Sequence, residues 1–140
     1  MKIKIQRLSP EMKLPKYARA DDAGLDLFSC EDYTIQPKTR HTFSLGFALE
    51  LPRGYVSLIW DKSGLASKQG LTTLGGVIEW SYRGEYKLIL HNTSDQPYDV
   101  KKGDKLAQML IQPVESVTIE EVDKLSDTER GSGGFGSTGR

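Results

Sequence analysis

His41-Thr42-Phe43-Ser44-Leu45-Gly46-Phe47-Ala48-Leu49-Glu50-Leu51 puts Phe43, Leu45, Phe47, Leu49 and Leu51 at alternate positions, with Thr42, Ser44, Gly46, Ala48 and Glu50 between them. A period of two marks a strand with one buried face, because successive side chains on an extended chain leave opposite faces. Outward from this stretch, residues 2–7, 25–29, 33–35, 54–60, 71–78, 86–92, 98–100, 105–113 and 117–121 read as further short strands. Turn formers separate them: Pro37-Lys38, Pro52-Arg53-Gly54, Gly75-Gly76, Arg83-Gly84, Ser94-Asp95-Gln96-Pro97 and Lys102-Gly103-Asp104. The one helical expectation is a single turn over residues 63–68 with Ser63 as its N-cap. Many short strands at regular spacing predict an all-β sandwich or a barrel-like jelly roll.

With 140 residues the chain has the length of one domain, long enough to build a core without staples. Lys+Arg and Asp+Glu both number 19, so no basic excess points to nucleic acid or to an anionic membrane surface. No apolar run approaches a membrane span, and the alternating Met1-Lys2-Ile3-Lys4-Ile5-Gln6-Arg7 lacks the apolar core of a signal peptide. A single cysteine, Cys30, excludes an internal disulfide and agrees with a cytoplasmic setting. The pattern stops at Ser126: five of the 14 glycines fall in the last ten residues, so residues 1–125 read as a β domain and 126–140 as a flexible C-terminal arm. Within that arm Phe135 is bracketed by glycines and Arg130 supplies a fork suited to phosphate, the combination an arm needs to order over an anionic, flat-ringed ligand.

Two loops in the middle carry chemistry. In Trp60-Asp61-Lys62-Ser63-Gly64-Leu65-Ala66 a strand ends in a cation, a hydroxyl and free backbone N–H groups, which together make an anion cradle, although the P-loop spacing is absent. Residues 75–85, Gly75-Gly76-Val77-Ile78-Glu79-Trp80-Ser81-Tyr82-Arg83-Gly84-Glu85, read as a β-hairpin with a carboxylate, two aromatic rings and an Arg at its tip. Its glycines allow a flat ligand to approach the backbone. Asp26, between Leu25 and Leu27, is either an ordinary strand end or a carboxylate facing a metal-bound water. His41 and His91 lie in strands and read as structural, and no spacing suggests zinc.

The order of these segments resembles the trimeric deoxyuridine triphosphatase (dUTPase) family in five blocks across nearly the whole chain. They are residues 23–27, residues 62–66 with Gly70, residues 76–79 with 82–84, residues 103–108, and the arm from Arg130 to Gly139. The resemblance implies a jelly-roll-like (β-clip) fold and a homotrimer with shared active sites. It implies Mg2+-dependent cleavage of dUTP to dUMP and pyrophosphate. On this pattern Gly76, Val77, Ile78 and Lys87 belong to the segment that holds uracil through main-chain groups, and Tyr82 packs on the deoxyribose. Glu79 corresponds to the carboxylate for the 3′-hydroxyl and the attacking water; Lys62, Ser63, Gly64 and Gln108 line the phosphates; Asp26 binds a Mg2+-coordinated water. Arg130 clamps the phosphates, Phe135 stacks over uracil, and Gly136, Ser137 and Thr138 reach the γ-phosphate.

The chain departs from the pattern at two places. Lys62, preceded by Asp61 rather than Pro, replaces an Arg and loses its bidentate fork. Glu79 replaces an Asp and reaches one methylene further. Beside the hydrolase there thus stand a hydrolysis-impaired nucleotide-binding or regulatory protein, and activity on another deoxynucleotide such as dCTP. If the arm closes the site, truncation after Glu129 abolishes nucleotide turnover while leaving the melting temperature within a few degrees; turnover that survives truncation removes the arm from catalysis.

Overall fold

The computed structural model describes residues 1–134. These form β1 (Lys4–Arg7), β2 (Leu25–Phe28), β3 (Tyr33–Ile35), β4 (Arg40–Ser44), β5 (Phe47–Glu50), β6 (Tyr55–Asp61), α1 (Ser63–Gln69), β7 (Leu71–Leu74), β8 (Val77–Glu79), β9 (Lys87–Asn92), β10 (Tyr98–Val100) and β11 (Lys105–Pro113). The strands pair antiparallel in a four-stranded sheet β2-β11-β6-β8, a three-stranded sheet β4-β9-β7, and two ribbons, β1-β5 and β3-β10. The result is an all-β, jelly-roll-like fold whose single core includes Leu27, Phe43, Phe47, Leu88, Leu90 and Met109, each almost fully buried. α1 is far too short to cross a membrane, and no other described helix exists to do so.

The stretch 41–51 keeps its alternation but not its continuity. Phe43, Leu45, Phe47, Leu49 and Leu51 are all buried as expected, yet the chain bends at Gly46, which sits at φ +73°. A side chain there would press on the Cβ atoms of Ser9 and Met12, so only glycine serves. β4 and β5 therefore join different sheets. Residues 71–78 divide for a similar reason: Gly75 lies at φ +64° and Gly76 packs so closely on the Ile59 carbonyl that a Cβ would overlap it. β7 consequently stays with β9, while β8 crosses to the edge of β6.

Three further expectations are corrected. Residues 75–85 are no hairpin, since β8 pairs with β6 and residues 80–86 form turns held by Tyr82 N–H to the Glu79 carbonyl and by Arg83 Nη1 to the carbonyls of Trp80 and Tyr82. The helix runs through Gln69 and its N-cap is Lys62, whose carbonyl accepts the first helical bond from Ala66 N–H; Ser63 is already inside the helix and no side chain caps it. Residues 117–121 form no strand: Val117 and Ile119 are 79% and 89% exposed, because alternation alone makes no strand without an edge to pair with.

The longest strand, β11, pairs with β2 on one side and β6 on the other. Against β2 its register slips between Lys105 and Ala107. This bulge lets consecutive Leu106 and Ala107 both enter the core, and it leaves Lys105 and Gln108 together on the opposite face, where Asp26 stands across from Gln108. At the end of β9 the buried Asn92 ties three segments together. Its Nδ2 donates to the carbonyls of Ile35 and Gln96, and its Oδ1 accepts from Ser94 N–H and Oγ–H. Asn92→Ala strips partners from buried carbonyls and is expected to lower stability by about 3 kcal/mol, read from urea unfolding.

Candidate active site

Two concave regions hold most of the residues singled out above. The first, about 650 Å³, opens between β8, the 80–86 turns and the outer face of β4 and β9. Val77, Ile78, Glu79, Tyr82 and Lys87 line it, with Gly75, Thr42, Ser81, Glu85 and Ile89; Gly76 is not among its walls. β8 has β6 on one side only, so its other edge presents backbone N–H and C=O groups to this space. The backbone there is braced from beneath. Buried Tyr86 donates its hydroxyl to Ser57 Oγ at 2.8 Å, and Ser57 Oγ–H donates to the Ile78 carbonyl at 3.2 Å. Burial pushes the Tyr86 phenol up, so it remains a neutral donor. Tyr82 folds back to give its hydroxyl to the Glu85 carbonyl, a pose that Gly84 permits because a Cβ there would overlap the Tyr82 ring. Trp80 does not crowd the opening; it packs half-buried against the core.

The second region, about 450 Å³, lies at the start of α1. Lys62, Ser63, Gly64 and Gln108 come together in its walls, joined by Lys68, Lys105 and Tyr98. No carboxylate is among its walls, so a chain of zero net charge concentrates three ammonium groups here. The first-turn N–H groups of α1 are left without a capping side chain, which favours an anion. Burial first, then the Asp104 carboxylate, raise the Tyr98 phenol, keeping its O–H as a donor. Gln108 Nε2 donates to the Asp61 carbonyl at 2.9 Å, and Gly24 leaves room for its amide, since a Cβ there would come within 2.6 Å of Gln108 Oε1.

Asp26 sits behind this cradle, 2% exposed. Lys62 Nζ donates to its Oδ1 at 2.5 Å, and Lys105 Nζ lies 2.7 Å from its Oδ2 but out of hydrogen-bond alignment. Burial alone would raise the Asp26 carboxyl; the ammoniums of Lys105 and Lys62 outweigh it and hold the group below its usual range. Arg130 belongs to neither region: its Nε donates to the Gly133 carbonyl within an exposed turn. Phe135, Gly136, Ser137 and Thr138 lie outside the described residues. Lys68, Lys105 and Tyr98 escaped the sequence reading because a helix turn, a bulge and a sheet crossing bring them in. The Ser-Gly turn beside Lys62 was the only local signal.

Known proteins define the class to which this arrangement belongs. The dUTPase family model matches residues 10–139. The deoxyuridine 5′-triphosphate nucleotidohydrolase of Nautilia profundicola is 46% identical over 142 residues, covering 100% of both chains. That of Clostridium tetani is 47% identical over 140 residues, covering 99% of this chain and 97% of its own. The solved dUTPase of Staphylococcus bacteriophage 80alpha with dUPNHPP superposes with a TM-score of 0.93 at 27% identity, covering 99% of each chain. The chain belongs to the dUTPase family.

The Asp26 pairing makes a pH-dependent contribution. A lowered native value means that the stabilisation is full above about pH 4, where the unfolded chain's carboxyl ionises, and fades as the pH falls through the native value. Asp26→Asn is expected to cost roughly 1–3 kcal/mol at pH 7, discounted because both lysines are partly exposed, and to flatten the acid limb of a urea-midpoint series from pH 7 to pH 3.

Proposed function

We propose that the protein hydrolyses dUTP to dUMP and pyrophosphate, limiting uracil in DNA and supplying dUMP. The observation that carries this reading is the pairing of a braced edge-strand pocket, rimmed by Glu79 and Tyr82, with a carboxylate-free cradle of three lysines. A uracil in the first region meets the free edge of β8, whose fixed donors and acceptors reject the opposite pattern of cytosine. Tyr82 packs on the deoxyribose and leaves no room for a 2′-hydroxyl. Glu79, at the rim with no hydrogen-bond partner for its carboxylate among the described residues, takes the 3′-hydroxyl and orients a water. That water attacks the α-phosphorus in line; the new P–O bond forms as the bond to the α,β-bridging oxygen breaks, pyrophosphate departs, and the water's proton passes to Glu79. Lys62, Ser63, Gly64 and Gln108 hold the phosphate oxygens, with Lys68, Lys105 and Tyr98 adding donors.

The same geometry favours a site shared between copies. Glu79 stands opposite Val56, whereas Lys62 follows the far end of β6, about 20 Å along the strand. In dUTP the α-phosphorus is separated from the sugar carbon by a single oxygen, so a nucleotide whose 3′-hydroxyl is held by Glu79 keeps its α-phosphorus toward that end of β6, away from its own chain's Lys62. A cradle from a neighbouring copy answers this, and in a closed homotrimer every site would be completed in the same way. Exposed Val117, Ile119 and Leu125, together with the apolar groove lined by Ile3, Ile5 and Leu14, are surface that such an assembly would cover. Residues 126–140 then form an arm over a neighbour's site, with Arg130 on the phosphates.

Mg2+ fits this arrangement as an ion carried by the substrate. No group of three His, Cys, Asp or Glu among the described residues could hold it alone, but the buried Asp26 Oδ2 lacks an aligned donor, and a metal-bound water would supply one. When bound, the ion neutralises triphosphate charge and fixes its path. A cytoplasmic setting agrees with the single cysteine, Cys30, whose thiol is pushed up by burial, then by Glu85 and Glu31.

The test is pyrophosphate release from a panel of dUTP, dCTP and dTTP with Mg2+ or EDTA, using the wild type and Glu79→Asp and Glu79→Gln. Selective, EDTA-sensitive turnover of dUTP that falls on the order of 100-fold or more in Glu79→Gln is expected. Tight dUTP binding without turnover, restored by Glu79→Asp, instead makes the protein a hydrolysis-impaired binder; turnover of dCTP alone moves the substrate.

A further inference from the structure

Asp61 closes β6 directly before Lys62, and the reaction above leaves its side chain unused. That carboxylate is nonetheless fully engaged. Oδ1 accepts the Thr73 backbone N–H at 2.6 Å, and Oδ2 accepts the Thr72 hydroxyl at 3.0 Å. Both donors belong to β7, a strand of the other main sheet, so Asp61 joins the two sheets at the point where the chain turns into α1. Its main-chain carbonyl meanwhile accepts from Gln108 Nε2, and its Cα is in register with Ala107 of β11. One residue therefore fixes the direction of the Lys62-Ser63-Gly64 turn and the rotamer of the glutamine facing it.

Nothing local could do this instead. α1 has no side-chain cap at its N-terminus, so the helix start takes its orientation from what precedes it. Hydrogen bonds to a carboxylate are shorter and stronger than neutral ones, and two of them across a sheet boundary leave the turn little freedom. Gln108 spends one Nε2 proton on Asp61 and keeps the other, at a set angle, for a ligand oxygen.

We propose that Asp61 is a positioning residue for the phosphate cradle, holding Lys62, Ser63 and Gln108 in the geometry that receives the triphosphate. The proposal rests on assigning this cradle to the phosphates. It accounts for an acidic residue beside an anion site: the carboxylate is turned onto β7, and Asp61 meets the cradle through its backbone carbonyl bond to Gln108.

The experiment measures binding of inorganic tripolyphosphate and of deoxyuridine to the full-length protein by calorimetry, alongside steady-state kinetics with dUTP. Asp61→Ala is expected to weaken tripolyphosphate about tenfold and to raise KM for dUTP by a similar factor, with kcat and deoxyuridine affinity changing by less than about twofold. Asp61→Asn restores affinity, because Oδ1 still accepts from Thr73 and Nδ2 can donate to the Thr72 oxygen. Thr72→Val, which removes one clamp and keeps the side-chain shape, shows a loss of about threefold in the same direction and carries the test should Asp61→Ala fail to fold. Unchanged tripolyphosphate affinity in both variants, or equal losses for tripolyphosphate and deoxyuridine, overturns the proposal. A wild type that binds tripolyphosphate with this variant pattern but does not turn over dUTP upholds Asp61 and overturns the hydrolase reading.

Discussion

A carboxylate buried in a sheet is costly unless cations and donors compensate it, and Asp26 organises this molecule by collecting them. It sits on β2, draws Lys105 from β11 and Lys62 from the turn after β6, and so ties three segments together at one end of the four-stranded sheet. The bulge in β11 is the condition for this. Without it Lys105 would share the core face with Ala107, and Asp26 would keep a single partner. The pairing leaves a net positive cluster whose outer ammonium groups are partly exposed, at 30% and 45% of the side chain for Lys62 and Lys105. A buried negative charge thereby holds positive charge in place at the surface, where an anion can find it.

Further back along β6 the constraint is steric. Gly76 lies against the Ile59 carbonyl and lets β8 leave the sheet of β7 and β9 for the edge of β6. The pocket is the gap opened by that crossing: one wall comes from β4 and β9, the other from β8, and the Tyr86–Ser57–Ile78 network keeps the second wall from collapsing into it. An edge strand with free backbone groups is usually a liability. Here it is short and faced by the outer surface of a second sheet.

What the sequence revealed follows from the range of the interactions involved. The period-two pattern of 41–51 is set by local geometry and burial, and every large apolar residue in it is buried. Gly46 could be seen as a glycine but not as a corner, because the residues that bar a side chain there, Ser9 and Met12, are far away in the chain. Residues 117–121 carry a shorter alternation, Val117 and Ile119, and remain exposed, since a strand exists only against a partner. In the cradle, Lys62, Ser63 and Gly64 are consecutive and readable as one turn, and Gln108 came from the family pattern. Lys68 joins through the turn of α1, whereas Lys105 and Tyr98 join only through tertiary pairing, and the bulge that aims Lys105 leaves no compositional trace.

The same reasoning bears on the exchange of an Arg for Lys62. A guanidinium brings its own directionality, five donors in a rigid fork, whereas an ammonium is a point charge on a flexible stem that must be aimed by its surroundings. The structure supplies that aim from two sides. Asp26 draws the Lys62 ammonium inward, and Asp61 fixes the backbone from which the stem departs. A proline before the cation would stiffen φ there but could not accept from Thr72 and Thr73. Asp61 and Lys62 thus work as a pair: direction built into one side chain is replaced by direction imposed through the anchoring of the Asp61 carboxylate to β7, with Lys68 and Lys105 spreading the charge that a single fork would have concentrated.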